Sequence, residues 1–545
     1  MARAKRALVG LAAALVGWTG ALPAAAQSPQ FQSPQFGATA SEGAPGAFCH
    51  LPASAIAEDE QLRRRAAAGD ATARSAYAQR VQERAAALTR CRTTTWPQTQ
   101  AVWLRLYPCD LQPGVLEGVL DRIVALGYNR VLVEVFYDGQ VLLPSGNNPT
   151  VWPSAIRVPG AENTDLLART IQLGRARGLS VYAWMFSMNF GYSYGQRPDR
   201  QNALARNRLG QSSLQQPTLN DGTPDVSGTT DQVFVDPYSP QARADLAQLV
   251  QAVLQRRPDG VLFDYIRYPK SSGAASIVTS AKNLWIYGES SWEQIFGRVF
   301  NRRGQELLYR FLVNGFVTVN DVQVAAQQNP ADREPLWQGS QPPQPVATTN
   351  NLVRANSGGV NTGTGTTLGS SLPATTPPPS NPAQDQARFQ RELWNLAVEH
   401  ARQGVVSFLT AASQPVLQQG ISAGAVFFPE ANRSIGRGFD SRLQPWDQFP
   451  PSLEWHPMSY AICGTTSCIV DQVGKVRAAA PQGTQVIPAL AGRWGQVQGR
   501  PSLEDQMQAL QRAYPDLKAV SHFSYAWLDP QADAQRRSCR VQAAR

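Results

Sequence analysis

Two acids in this 545-residue chain stand where an apolar run gives out. In Gly260-Val-Leu-Phe-Asp264-Tyr-Ile-Arg267-Tyr268-Pro269, Asp264 closes a stretch that otherwise reads as buried strand. A carboxylate there is costly unless it faces an opening and meets a partner. Arg267 is the expected partner, and its charge would keep the acid ionised as a nucleophile requires. In Ala423-Gly-Ala-Val-Phe-Phe-Pro429-Glu430 a second acid follows another such run. Glycoside hydrolysis needs one ionised carboxylate beside an oxocarbenium-like centre and one protonated acid on the leaving oxygen. Asp264 and Glu430 are therefore the candidate catalytic pair, although Glu430 reads equally well as a solvated loop acid.

A third acid, Glu134, sits inside Val131-Leu-Val-Glu-Val-Phe136. It must point inward and find a cation, for which Arg105 is nearest, and a buried ion pair is a better reading of it than catalysis. Around these acids the candidate substrate-binding residues are Arg105, Asp138, Trp184, Asn189, Arg267, Tyr268, His456, Tyr460, Arg493, Trp494, Tyr525 and Trp527. Asp138 would accept from sugar hydroxyls, and the aromatic side chains offer flat faces on which sugar rings stack; core packing is the competing reading for each aromatic taken singly. The chain has four histidines and no Cys-x-x-Cys, so neither a metal site nor a cofactor is expected.

These residues share one property: each lies at or near the end of a short run rich in β-branched and aromatic residues. Eight such runs occur, over 101–106, 130–137, 179–186, 260–264, 423–428, 453–460, 485–490 and 520–525. Helical stretches over 114–126, 164–177, 241–256, 384–403, 471–480 and 502–513 fall between them. That alternation predicts an α/β fold, a (β/α)₈ TIM barrel over residues 96–545 whose active site lies at the C-terminal ends of the strands. Long insertions follow strand three (188–232) and strand four (271–383), the latter ending in a Pro-, Thr-, Gly- and Ser-rich tract, 338–383, that reads as flexible. Residues 48–95, Ala- and Arg-rich around Gly69-Asp70, predict an N-terminal helical hairpin.

The amino terminus is basic, then apolar to about Leu22, then Ala24-Ala25-Ala26, the pattern of a cleavable secretory signal over 1–26, followed by a disordered leader over 27–47. Formal charge is +10 and would be +7 once Arg3, Lys5 and Arg6 leave with the signal. No concentrated basic stretch suggests nucleic acid, and no later run suggests stable membrane insertion. Six cysteines in an exported chain favour disulfides over 15 possible connectivities. The expected pairs are Cys49–Cys91, clasping the hairpin; Cys109–Cys539, because strands one and eight are neighbours in a closed barrel; and Cys463–Cys468.

At Phe263-Asp-Tyr-Ile-Arg-Tyr-Pro269 the chain resembles glycosyl-hydrolase-like family ten, a group of TIM-barrel envelope proteins. Val102-Trp-Leu-Arg105, Gly127-Tyr-Asn-Arg-Val131, Gly178-Leu-Ser-Val-Tyr-Ala-Trp184, Val235-Asp-Pro237 and Pro457-Met-Ser-Tyr460 extend the resemblance over roughly residues 100 to 530. The resemblance implies hydrolysis of glycosidic bonds in an exported or periplasmic protein, with a glycan or oligosaccharide as partner. Peptide-free peptidoglycan strands are one implied substrate, and Asp264 is the implied acid on strand four. Hydrolysis of another exported polysaccharide, and glycan binding without cleavage, stand as alternatives.

Overall fold

Runs buried on both faces must be covered by helices on one side and by each other's side chains on the other, and a closed parallel barrel does both. The computed structural model describes residues 46–215, 232–340 and 381–539. The expected signal, all but the last two residues of the expected leader, and most of the 338–383 tract lie outside the described residues. Eight strands form the barrel: β1 (Thr99–Leu104), β2 (Arg130–Tyr137), β3 (Ser180–Phe186), β4 (Gly260–Asp264), β5 (Ser422–Phe427), β6 (Glu454–Ser459), β7 (Ala489–Ala491) and β8 (Ala519–Phe523). Each is parallel to the next, and β8 returns to β1 with Thr99 opposite Ala519, while Ala101 faces Arg130 on β2. The expected (β/α)₈ architecture is the one present.

Before the barrel, α1 (Ala53–Ala67) and α2 (Ala71–Thr94) form the hairpin, turning at Gly69 with φ +100°. Asp70 caps α2 by accepting the Ala73 amide at 2.9 Å. The Cys49–Cys91 bond clasps its ends. Tyr77 of α2 donates to Asp121 (2.6 Å), and Arg177 donates to both Asp121 and the Tyr77 hydroxyl (2.8 Å each), which fastens the hairpin to the barrel's outer shell. Between strands run α3 (Val115–Ala125), α4 (Leu166–Arg175), α5 (Pro240–Leu254), α6 (Pro382–Gln418), α7 (Thr466–Ala479) and α8 (Leu503–Ala513); α9 (Pro530–Ser538) closes the chain. In α3 the buried set Leu116, Val119, Leu120 and Ile123 follows helical spacing. Among its described residues, the insertion after β4 carries three α-helices, Glu289–Phe296, Arg302–Asn314 and Val319–Gln328.

Several boundaries differ from the sequence expectation, and a glycine and a proline account for two of them. The helix expected to stop at 403 continues through Gly404 to Gln418: a helix tolerates a single glycine, and packing requires one here, since a Cβ would lie 2.8 Å from both Pro237 and Tyr238. Strand seven, expected over 485–490, is Ala489–Ala491, since Pro488 has no N–H to give the ladder. The residues before it still bond β6, with the Ile487 amide donating to the Trp455 carbonyl at 2.8 Å.

Candidate active site at the barrel mouth

Strand alternation decides which side chains enter the barrel. Trp103 and Arg105 from β1 and its end, Arg130 and Glu134 from β2, Tyr182 and Trp184 from β3, Leu262 and Asp264 from β4, and Glu454 and His456 from β6 meet one another inside. Their contacts fall into two groups at different depths.

At the C-terminal mouth, Asp264 is 7% exposed. Its Oδ2 accepts the indole N–H of Trp184 at 3.1 Å, and its Oδ1 accepts the backbone N–H of Tyr265 at 2.6 Å. Tyr265 has φ +52°, which turns the chain sharply off the strand and aims that amide back at the carboxylate. Arg267 is buried, its guanidinium 4.6 Å above the Tyr265 ring, and it donates to the Tyr268 carbonyl at 3.1 Å. Beside this group Arg105 grips Glu134 with two prongs, Nε to Oε2 and Nη2 to Oε1 (3.1 Å), and lies 4.4 Å over the Tyr137 ring. Glu134 and desolvation together push the Tyr137 hydroxyl pKa upward, burial being the larger cause. The Arg105–Glu134 pair is thus present as the sequence implied. A cavity of about 50 Å³ lies here, lined by Trp103, Arg105, Tyr107, Glu134, Trp184 and Trp527 among others.

The ring packing at this end is not legible in the residue pattern alone. Trp103 meets Trp184 edge-on with centroids 4.7 Å apart and donates to Ser521 Oγ at 3.1 Å. Phe523 of β8 packs on Trp103 (5.9 Å), and Tyr460 packs on Phe523 (5.4 Å). The signal for Trp103 was available: once Arg105 points inward, a residue two positions earlier does too. Asp138 occupies the turn after β2 with φ +48°, half-buried on the rim. Trp527 lines the mouth cavity, and Arg493 is half-exposed on the loop after β7.

Glu430 stands on the loop after β5 with its side chain 35% exposed, 3.7 Å from Arg442. Arg442 is held by Asp440 through two 2.7 Å bonds and covers the Phe428 ring at 4.6 Å. Lys475 donates to the Pro429 carbonyl at 2.8 Å on the other side. Glu430 is therefore a rim residue seated among cations.

Five residues expected at the mouth are placed elsewhere. His456 lies deeper in the barrel and pairs with Glu454 (3.2 Å), which accepts from Tyr182 (3.1 Å) and faces Arg130 (3.4 Å), the first residue of β2; burial lowers its pKa. Tyr268 is fully buried behind the mouth, and burial raises its hydroxyl pKa. Asn189 is buried as a loop brace, its Oδ1 accepting from Gly191 (3.2 Å) and Val233 (3.0 Å). Trp494 packs outside the barrel: it donates to Tyr128 at 3.1 Å and meets His522, whose ring contacts Met507 of α8. Tyr525 was expected at the end of strand eight, but the strand stops at Phe523, and Tyr525 begins a short helix that directs its ring toward α3 and α9.

The chain thus forms a closed (β/α)₈ barrel with an acid-bearing mouth at the C-terminal ends of its strands. Residues 84–283 match the family described as glycosyl hydrolase-like 10, in agreement with the motif around Asp264. Among solved structures, the chain is similar to the GH20 beta-N-acetylhexosaminidase of Streptomyces coelicolor A3(2), at 9% identity and TM-score 0.33 over 78% of this chain and 59% of that one. It is similar also to the GH20 catalytic modules of the pneumococcal exo-beta-D-N-acetylglucosaminidase, at 9% identity and TM-score 0.35 over 82% and 81%. A hypothetical protein from Ruminiclostridium thermocellum ATCC 27405 aligns at 16% identity and TM-score 0.23 over 32% of this chain and 80% of its own. No curated protein matches the chain in sequence.

Proposed function

We propose that this chain is an exported glycoside hydrolase acting on a cell-envelope glycan, with peptide-free peptidoglycan strands as the first substrate to try. The observation that carries the reading is Asp264: a buried carboxylate at the C-terminal end of β4, with a donor on each oxygen, in a chain whose residues 84–283 match a glycosyl hydrolase-like family. The two donors orient this carboxylate toward the mouth, so Asp264 is the acid that faces the oxocarbenium-like centre in this reading. Glu430 is the proton donor to the leaving oxygen in this reading, and water completes the exchange at the anomeric carbon. A cavity of about 50 Å³ holds water rather than a sugar ring, so the glycan lies across the mouth with Trp527 beside it.

Export is supported by the basic and then apolar amino terminus and by three disulfides, Cys49–Cys91, Cys109–Cys539 and Cys463–Cys468, the pairs the sequence implied. Among the described residues no helix is long and apolar enough to cross a membrane. The test is incubation of the mature protein, beside Asp264→Asn, with peptide-free glycan strands, reading released fragments by mass spectrometry. Fragments from the wild type alone support the hydrolase. A glycan-binding barrel without turnover is the second reading, favoured by the seating of Glu430 against Arg442; co-sedimentation of both forms with strands that stay intact would put it first.

A further inference from the structure

Among the described residues, the two arginines that line the mouth cavity are both neutralised. Arg105 is paired with Glu134, and Arg537 with Asp533 at 2.9 Å. Arg500, on the loop between β7 and α8, has no ion pair among the described residues. Its guanidinium lies 4.8 Å from the centre of the Trp527 ring, and its Nη1 is buried without a hydrogen-bond partner. Tyr460, on the β6 loop, packs on Phe523, which lines the same mouth cavity as Trp527. Trp527 lines the mouth cavity together with Trp103 and Trp184, the rings at the Asp264 end of the barrel, so Arg500 stands at the edge of that cavity. A buried donor on a cation with nothing to bond is costly, and a flat guanidinium fork matches a flat carboxylate through two parallel bonds. One such fork balances one carboxylate, whereas a phosphate monoester would leave negative charge over.

We infer that Arg500, seated on Trp527, is the carboxylate-recognising residue of the mouth, so that the glycan it takes carries an acidic sugar beside the bond at Asp264. This deepens the glycan reading and rests on it. Arg105 and Arg537 set the positive surroundings without competing for the substrate's charge, because each has its own acid. Selection against neutral glycans follows from charge: a sugar hydroxyl can accept from Nη1 of Arg500 but neither balances the guanidinium's charge nor matches its fork with two parallel bonds.

The test uses peptide-free strands with their carboxyls intact and the same strands with carboxyls reduced to alcohols. Binding is measured by isothermal titration to the Asp264→Asn protein, so that turnover does not intervene. Intact strands should bind at least about tenfold more tightly, the ratio that a difference of about 1.4 kcal/mol produces. Adding Arg500→Gln should bring both strands to the same weak affinity, and Arg500→Lys should restore part of the difference. Equal affinity of the two strands for the Asp264→Asn protein overturns the inference without any Arg500 variant, as does a difference that survives Arg500→Gln. Cleavage of both strands at equal rates by the wild type would leave the hydrolase standing and remove the acidic-sugar preference. Carboxylate-dependent binding with no cleavage would do the reverse, and binding of neither strand would remove both.

Discussion

The indole N–H of Trp184, on β3, donates to Oδ2 of Asp264, on the neighbouring strand β4, across 3.1 Å. Because the Tyr265 amide holds the other oxygen, the carboxylate is fixed in rotation. Trp184 is itself held edge-on by Trp103, whose indole donates to Ser521 on β8. Two indoles thus link the acid to the far side of the barrel.

Trp184→Phe keeps an aromatic ring and removes the donor. A hydrogen bond to a charged group contributes roughly 1.5–3 kcal/mol, so kcat on peptide-free strands should fall about tenfold to a hundredfold, with KM changed far less. Circular dichroism should show an unaltered fold. An unchanged kcat in an active enzyme would show that the indole only packs.

Acid should destabilise the protein. Burial, helped by nearby arginines, holds His400 and His522 down to about 3 and His50 to about 4. An unfolded histidine titrates near 6.5, so the unfolded chain binds protons that the folded chain refuses. The stability these groups contribute is complete above pH 6.5 and is lost as pH falls toward their folded values. Asp236 works in the opposite sense: burial raises it to about 6, so its contribution is complete below about 3.8 and lost as pH rises through 6. Three histidines outweigh one aspartate. Between pH 7 and pH 5, urea denaturation should show a net loss of about 4 kcal/mol, and a flat profile would mean that these imidazoles are solvated.

The disulfides should differ in worth according to the loops they close. The separations are 5 residues for Cys463–Cys468, 42 for Cys49–Cys91 and 430 for Cys109–Cys539. Loop-closure entropy gives about 2 kcal/mol for the first, about 4 for the second and about 5 or more for the third. Replacing each pair with serine and comparing denaturation midpoints should return that order. The third pair has a local consequence too, since it anchors α9, whose Arg536 donates to the Arg105 carbonyl at 2.9 Å and to Asp110 at 2.7 Å. Cys109→Ser with Cys539→Ser should therefore lower activity as well as stability.

Local pattern determined much of this. Apolar runs alternating with helical stretches specify eight β/α units, and eight parallel strands with covered faces close on themselves. Period-two alternation puts Glu134 inward, where a lone charge must find Arg105. Adjacent first and last strands bring Cys109 to Cys539. None of these depends on the exact path of a loop.

Depth and loop direction were decided only in three dimensions. Alternation says that His456 faces inward, but strand tilt and stagger set its level, beside Glu454 and Arg130 rather than at the mouth. Tyr525 and Trp494 follow strands in sequence, yet their loops turn outward, because the first finds α3 and α9 to pack against and the second finds Tyr128 and His522. Trp184 and Asp264 are 80 residues apart, and their hydrogen bond exists only because β3 and β4 are neighbours in one register. A sequence records which side chains a strand presents to each face; which partner each one meets depends on chain segments brought together by the closed barrel.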